Sequence, residues 1–216
     1  MFEASLRLVA VTPDEPALAG DRLVQCCDRL LRDGATALMC REKRLDDLAF
    51  LAVAAELMAR CQARGARFIV NERFELAAAL GAKTVHATHR SPGFSELRAR
   101  LGPEVRLGVS VHEVEEGVLR AEQGYDYLVF GPVRATPSKQ GLVEPRGFRA
   151  VETLAHAVDI PVVAIGGLVG ADAIDLARRG AAGMAAIRSL FFHPNPEAMA
   201  AVVHRAWPEG SRREGS

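Results

Sequence analysis

Short apolar segments alternate with longer segments of helical period along almost the whole chain. Eight of the segments are short, apolar and often β-branched, and each is followed by a stretch whose apolar residues recur three and four positions apart. Strands that alternate with helices form βα units around a parallel sheet. Eight such units within 216 residues predict an α/β fold of the (βα)8 TIM barrel type, and an open doubly wound sheet is the alternative.

The bounds of the predicted elements follow from this pattern. The predicted strands are 6–11, 37–40, 67–70, 84–86, 106–111, 127–130, 161–165 and 183–187. The predicted helices are 21–32, 46–64, 73–80, 95–101, 114–123, 148–156, 171–179 and 196–206. No linker separates these elements into groups, so residues 1–207 are predicted to form one domain and the polar residues 208–216 a disordered tail.

The two longest predicted helices each have an apolar face of helical spacing. The predicted buried face of helix 21–32 consists of Leu23, Cys26, Cys27, Leu30 and Leu31. The predicted buried face of helix 46–64 consists of Leu48, Leu51, Ala52, Ala55 and Met58.

Charge and hydropathy argue against two classes of partner. The chain has 27 Lys and Arg against 27 Asp and Glu, whereas a general nucleic-acid binder needs a net basic surface. No uncharged apolar run approaches the roughly 20 residues that span a bilayer, and the first residues lack the pattern of a secretory signal. We therefore expect neither nucleic acid nor a membrane as a partner.

The four cysteines indicate a reducing compartment. Cys26 and Cys27 are adjacent and no pair has CxxC spacing, which is unfavourable for a disulfide framework or a zinc site. The sequence therefore predicts a soluble cytoplasmic protein with reduced thiols. Barrels of this size are often dimers, and a homodimer is left open because the sequence identifies no exposed apolar face.

Polar and basic residues gather directly after the predicted strands, while the strands themselves are apolar. In a (βα)8 barrel the active site lies at the carboxyl ends of the strands, so these residues are candidates for ligand binding. They include Arg41, Lys43, Asn71, Glu72, His86, His89, Ser110, His112, Thr136, Ser138, Lys139, Gly166, Gly167 and Arg188.

Two of these groups are suited to a phosphorylated ligand. Gly166 and Gly167 let the backbone approach a bound group, and the loops after strands seven and eight form the usual phosphate site of this barrel. The alternative is a tight turn between strand and helix. Thr136, Ser138 and Lys139 offer hydroxyls and an ammonium to phosphate oxygens, and the alternative for them is a solvated loop.

Arg41 and Lys43 lie two positions apart, so in an extended chain they project to the same side. This indicates either an anion site or a surface ion-pair cluster with Glu42 or Asp46. The histidines lack the spacing and the acidic or thiol neighbours of a metal site. They are predicted to be hydrogen-bonded or solvated, with His89 near enough to the barrel mouth to touch a ligand.

These residues, in this order and at this spacing, resemble the thiamine phosphate synthase/TenI family over residues 6–203. The segments that carry the resemblance are Arg41-Glu42-Lys43, Ile69-Val70-Asn71 with Arg73, Val85-His86, Gly108-Val109-Ser110-Val111-His112, Asp126-Tyr127, Phe130-Gly131-Pro132, Thr136-x-Ser138-Lys139 and 161–167. The resemblance implies that hydroxymethylpyrimidine pyrophosphate and thiazole phosphate are joined with the help of Mg²⁺. Pyrophosphate departs, and the thiazole nitrogen captures the resulting pyrimidine carbocation.

The resemblance also implies a role for each site residue. The catalytic residues, which would hold the pyrophosphate, are Arg41, Lys43, Asn71, Ser110 and Lys139. The residues that would bind the thiazole phosphate are Thr136, Ser138, Gly166 and Gly167, with the backbone of Ile187 and Arg188. Met39 and His89 stand at further substrate-binding positions, and Glu72 and Ser91 stand at the metal positions.

Several of these positions depart from the family pattern. Met39 and His89 stand where the family has glutamines. Glu72 replaces one Mg²⁺-binding aspartate and Ser91 replaces the other. The loss of one carboxylate implies a weakened Mg²⁺ site. TenI-type relatives lack the acidic pair and isomerise a thiazole carboxylate phosphate without metal, but their histidine after the sixth strand is Pro132 here. The synthase is thus the leading interpretation. A TenI-like tautomerase and a non-catalytic regulator that binds thiazole or thiamine phosphate are the alternatives.

Overall fold

The computed structural model describes residues 2–136 and 144–208. Eight parallel strands form a closed barrel in the order of the sequence, with β8 paired to β1. The strands are β1 Leu8–Val11, β2 Ala37–Cys40, β3 Arg67–Asn71, β4 Thr84–Ala87, β5 Arg106–Val111, β6 Tyr127–Phe130, β7 Val162–Ile165 and β8 Gly183–Ala186. The predicted (βα)8 barrel is confirmed, and the open doubly wound sheet is excluded.

Helices surround the barrel and connect its strands. They are α1 Asp21–Arg32, α2 Asp47–Ala63, α3 Phe74–Ala79, α4 Phe94–Leu101, α5 Val114–Glu122, α6 Gly147–Ala157, α7 Ala173–Arg178, α8 Arg188–Phe191 and α9 Pro196–Ala206. Across residues 2–136 and 144–208, none of them is both long and apolar enough to cross a bilayer.

Most differences from the predicted elements lie at their ends. The first strand begins at Leu8 because Glu3–Leu6 form a 3-10 turn, and the sequence did not predict the short helix α8 after β8. The predicted domain boundary at residue 207 stays a prediction. Of the predicted tail, only Pro208 lies within the described residues.

Alternate residues of each strand face the barrel interior or the surrounding helices. Toward the helices, residues such as Leu8, Leu38 and Leu128 belong to the large outer core. Inside the barrel a second core consists of Leu6, Val9, Val11, Ala37, Met39, Ile69, Tyr127, Val129, Val163 and Ala185. Side chains that continue this inward-facing alternation to the end of a strand therefore project into the carboxyl-terminal mouth of the barrel.

The predicted buried face of helix α2 is wrong. The side chains that α2 buries are Phe50, Ala54, Leu57 and Cys61, whereas Leu48 is 81% exposed. Apolar residues occur all around this helix, so two different rows satisfy the same spacing. The predicted face of α1 is confirmed for Leu23, Cys27, Leu30 and Leu31, whereas Cys26 is only half-buried.

The four cysteines carry free thiols. Cys27, Cys40 and Cys61 are buried close to one another between the barrel and helices α1 and α2. Burial raises the pKa of each of these three thiols, so they remain protonated and pack as small apolar side chains.

Candidate active site

A cluster of polar side chains forms around the carboxylate of Glu72 at the carboxyl ends of β2, β3 and β4. Lys43 Nζ lies 3.2 Å from Glu72 Oε2, and the Asn71 side-chain amide donates to the same oxygen over 3.2 Å. The Thr88 hydroxyl donates to the other oxygen, Oε1, over 2.7 Å. The structure therefore brings together three predicted site residues, Lys43, Asn71 and Glu72.

The contacts of this cluster keep Glu72 ionised. Burial by itself would raise the pKa of this carboxyl group. The Thr88 hydroxyl, the Lys43 ammonium and the Asn71 amide all stabilise the carboxylate, and together they hold the pKa below its usual value. The cluster thus contains a fixed negative charge beside a cation.

The segment that carries Arg41 and Lys43 is fixed by its backbone. The Thr12 hydroxyl oxygen accepts a hydrogen bond from the Arg41 N–H over 2.8 Å, and the Asp14 carboxylate accepts one from the Lys43 N–H over 3.1 Å. The Arg73 guanidinium donates to backbone carbonyls of the same loop, including that of Leu45. These contacts fix the backbone from which the two cationic side chains extend.

Neither of the two acidic partners considered for Lys43 in the sequence pairs with it. Asp46 instead caps helix α2, where its carboxylate accepts a hydrogen bond from the Ala49 N–H over 2.8 Å. Glu42 is only 5% exposed and lies close to the buried Cys40. Burial raises the pKa of Glu42, partly offset by the Thr12 hydroxyl.

The backbone at the end of β3 is strained. Glu72 and Arg73 have φ values of +57° and +45°, in the left-handed region that non-glycine residues adopt at a cost. The Glu72 N–H donates to the His86 carbonyl over 2.8 Å, which keeps the turn against β4. Strain of this kind concentrates at functional sites, where the surrounding structure maintains it.

Ser110 is hydrogen-bonded to a buried histidine. Its Oγ lies 2.8 Å from His86 Nε2, and His86 Nδ1 lies 3.2 Å from the Tyr127 hydroxyl. Burial lowers the pKa of His86 to about 3 despite the opposing charge of Glu72, so the imidazole is neutral. A Cβ at Gly108 would lie 2.0 Å from Tyr127 Cζ, so only glycine leaves room for this ring.

Glycines allow the loops after β6 and β7 to lie side by side. Gly166 and Gly167 have φ values of +101° and +66°, and a Cβ at Gly167 would lie 2.5 Å from the Ala135 carbonyl oxygen. The Arg134 N–H donates to the Gly166 carbonyl over 3.0 Å. The predicted glycine pair therefore forms a close backbone packing at the mouth, next to Thr136.

The loop after β7 is also tied to the short helix α8. The Ser189 hydroxyl donates to the Leu168 carbonyl over 2.8 Å, which brings the two predicted phosphate loops together. Ile187 packs on the interior core, and the exposed Arg188 lies 3.9 Å from the Glu15 carboxylate.

The remaining predicted residues differ in their settings. Met39 is buried in the interior core. His89 is exposed in the turn after β4, and the Ser91 hydroxyl oxygen in the same turn accepts a hydrogen bond from the Thr88 N–H over 2.9 Å. Ser138 and Lys139 lie outside the described residues. The ligand contacts of all the predicted site residues stay predictions.

The structure adds residues that the sequence analysis did not select for the site. They are Thr12, Asp14, Arg73, Thr88 and Tyr127. Thr88 directly follows β4 and lies two positions after His86, and this spacing could have indicated that both side chains project to the barrel interior. No local signal predicts Arg73, whose contacts lie 26 to 31 positions away in the chain.

The donor set around Glu72 suits a metal ion only in part. Across the described residues there is no group of three or more His, Cys, Asp or Glu side chains able to hold one. Glu72 supplies one carboxylate, while Thr88 and Ser91 supply neutral oxygens. Mg²⁺ is often held by one or two carboxylates together with substrate phosphates and water, so the residues fit Mg²⁺ when a diphosphate completes the ligand set.

Known proteins resemble this chain over most of its length. A thiamine-phosphate synthase from Roseiflexus castenholzii is 35% identical over 197 residues, which cover 91% of this chain and 86% of the relative. A thiamine-phosphate synthase from Thioalkalivibrio sulfidiphilus is 38% identical over 197 residues, covering 89% and 91% of the two chains.

Solved structures show the same fold. Thiamine phosphate pyrophosphorylase from Pyrococcus furiosus superposes with a TM-score of 0.85 at 24% identity, over 96% of this chain and 100% of that one. The sequence model of the thiamine monophosphate synthase family matches residues 8–190. The chain therefore belongs to the thiamine monophosphate synthase family.

Proposed function

We propose that this chain couples hydroxymethylpyrimidine pyrophosphate with thiazole phosphate to give thiamine phosphate and pyrophosphate. The observation that carries the proposal is the contact of Glu72 with Lys43 and Asn71, because it places an ionised carboxylate and a cation at one point of the barrel mouth. Relatives named thiamine-phosphate synthase support it at 30% to 38% identity.

The first half of the reaction separates charge, and this chain offers groups that stabilise it. Arg41 and Lys43 would neutralise the departing pyrophosphate, while the Asn71 amide and the Ser110 hydroxyl would donate hydrogen bonds to its oxygens. Lys139 joins this set by resemblance. Mg²⁺, held by Glu72, Ser91 and the diphosphate itself, would supply further positive charge to the leaving group.

The second substrate would be held by its phosphate on the other side of the mouth. The joined loops after β7 and β8 support this placement, because Gly167 lies against the backbone of Ala135, next to Thr136, and the Leu168 carbonyl accepts a hydrogen bond from Ser189 of helix α8. Thr136, Ser138 and the backbone of Ile187 and Arg188 complete the proposed set. Anchoring of the phosphate would orient the thiazole nitrogen toward the pyrimidine carbon.

One observation favours a second candidate, the TenI-like tautomerase. The imidazole of His112 hydrogen-bonds through Nδ1 to the carbonyl of Gly131, next to Pro132, where the tautomerase branch has its histidine. His112 could then serve as the acid and base of a metal-independent isomerisation.

A product assay distinguishes these candidates. Purified protein is mixed with hydroxymethylpyrimidine pyrophosphate and thiazole phosphate, with Mg²⁺ or with EDTA, and thiamine phosphate is measured. Product that depends on Mg²⁺ supports the synthase, whereas isomerisation of thiazole carboxylate phosphate at full rate in EDTA supports the tautomerase. No turnover in either assay, with retained phosphate binding, supports the non-catalytic binder.

We also propose a cytoplasmic location, which the four unpaired cysteine thiols support.

Replacing Ser91 with aspartate should lower the Mg²⁺ concentration needed for half-maximal activity by about tenfold, because a second carboxylate then joins Glu72. An aspartate at this position can accept the hydrogen bond from the Thr88 N–H that Ser91 now accepts. The rate is measured in a Mg²⁺ titration. Ser95→Asp is the matched control, since it adds the same charge at an exposed site on α4, and an equal shift in both variants would refute the assignment.

Replacing Gly167 with alanine should raise the KM for thiazole phosphate by at least about tenfold, while the KM for the pyrimidine substrate changes little. The added Cβ would collide with the Ala135 carbonyl oxygen and displace the loop before Thr136. Gly65→Ala is the control, because Gly65 has nearly the same φ, +64°, but nothing lies within 4 Å of its Cβ position. Steady-state kinetics that show equal KM values for both variants would contradict the phosphate placement.

A further inference from the structure

A line of hydrogen-bonding side chains runs through the barrel interior beneath Ser110. His86 is 2% exposed and contacts Ser110 Oγ at 2.8 Å and the Tyr127 hydroxyl at 3.2 Å. Arg67 and Tyr127 both pack against the ring of Phe2: Arg67 Cζ lies 4.6 Å from the ring centroid, and the Tyr127 ring centroid lies 5.9 Å from it. At this range the guanidinium charge acts on the phenol oxygen. The line therefore extends from a cation inside the barrel to a hydroxyl at the mouth.

Two hydrogen-bond directions are compatible with these distances. A neutral imidazole carries one N–H, so its two nitrogens differ in role. If Nε2 carries the proton, His86 donates to Ser110, and the Ser110 hydroxyl proton is free to point toward the mouth. If Nδ1 carries the proton, His86 donates to Tyr127, and Ser110 must donate inward to Nε2.

The charge of Arg67 selects between these directions. Its guanidinium is held in place by hydrogen bonds to the hydroxyl oxygens of Ser5 and Thr84, over 2.5 Å and 3.0 Å. A positive charge attracts the lone pairs of the Tyr127 oxygen and repels its hydroxyl proton, which then points toward His86. The Asp126 carboxylate acts in the opposite sense, but it is engaged by Arg98, Arg106 and the Leu107 N–H, so Arg67 has the larger effect on Tyr127. Tyr127 donates to Nδ1 in this arrangement, so the imidazole proton resides on Nε2.

We propose that Arg67 and Tyr127 hold His86 as the Nε2–H tautomer and thereby make Ser110 a hydrogen-bond donor toward the pyrophosphate. The second half of this inference rests on the proposed function. Phosphate oxygens only accept hydrogen bonds, so a serine that donated inward would present lone pairs to the anion. Tyr127 and Arg67 are thus positioning residues that act through His86 and Ser110.

The tautomer can be measured directly in the full chain. In protein labelled with ¹⁵N-histidine, we expect the ¹⁵N shifts and long-range ¹H couplings of His86 to show a protonated Nε2 and an unprotonated Nδ1. A protonated Nδ1 would overturn the proposal. This measurement needs no substrate and no variant beyond the one that assigns the signal.

The consequence for ligand binding is tested with inorganic pyrophosphate and Mg²⁺ as the probe, by calorimetry. We expect Tyr127→Phe to weaken binding by about fivefold in the natural background and to have no further effect in Ser110→Ala. Tyr125→Phe is the matched control, since Tyr125 is buried against Phe94 on the outer side of the barrel and should leave binding unchanged.

Equal losses from Tyr127→Phe in both backgrounds would show a structural effect and overturn the positioning role. Unchanged binding in Ser110→Ala would overturn the donor role of Ser110, while the NMR result would still decide the tautomer. If the chain forms no thiamine phosphate, the proposed function is overturned. The tautomer assignment is then decided by the NMR measurement alone.

Discussion

Glu72→Ala should lower the rate of thiamine phosphate formation by at least about a hundredfold at saturating substrates and Mg²⁺. Glu72 is the carboxylate around which Lys43, Asn71 and Thr88 are arranged, and its charge is present throughout the physiological pH range. Its removal takes away the anionic ligand proposed for Mg²⁺ and leaves the Lys43 ammonium without this partner. Initial rates of product formation measure the effect.

Two control variants separate this effect from a general loss of charge. Glu72→Asp restores the acid that the resemblance implies at this position and should keep most of the activity. Glu75→Ala removes a surface carboxylate, paired with Arg100 on a neighbouring helix, and should leave the rate unchanged. A Glu72→Ala enzyme with nearly full activity would contradict the proposed metal site and favour the metal-independent tautomerase.

Leu57→Ala should reduce the free energy of unfolding by about 3 kcal/mol, whereas Leu48→Ala should change it by less than about 0.5 kcal/mol. Both leucines lie on helix α2, but Leu57 is fully buried and Leu48 is 81% exposed. Truncation of Leu57 leaves a cavity against the barrel, while Leu48 packs against little. The two substitutions are chemically identical, so the difference measures burial alone.

Urea unfolding followed by circular dichroism provides both values. If the face predicted from the sequence were the buried one, Leu48→Ala would be the costly substitution and Leu57→Ala the mild one. Similar losses for both variants would show that α2 is covered on two sides, for example by a second copy of the chain.

Helix α2 also shows what periodicity can and cannot predict. The spacing of its apolar residues identified the helix almost to the residue, because every turn offers apolar side chains. The same abundance made the buried face ambiguous. In α1 the polar residues occupy one side, so the sequence identified both the helix and most of its buried face.

The sequence predicted where the candidate site lies, but it predicted few of the contacts within the site. Parallel strands bring their carboxyl ends to one mouth, so reading the residues after each strand placed Lys43, Asn71 and Glu72 together. The pairing of Lys43 with Glu72 joins two loops 29 positions apart, whereas the sequence analysis considered only the nearby Glu42 and Asp46. Pairings between the loops of neighbouring strands depend on strand stagger, which local spacing does not encode.

Because the Tyr127 ring packs directly over Gly108, substitutions at these two positions can occur during evolution in only one order. Any side chain at position 108 would meet the ring at about 2.0 Å, so Gly108 cannot be replaced while Tyr127 is present. Loss of the ring first would leave a cavity costing about 3 kcal/mol or more, which a larger residue at 108 could later fill. Descendants with a side chain at position 108 should therefore carry a small residue at position 127. In each of them the substitution at 127 should have preceded the one at 108.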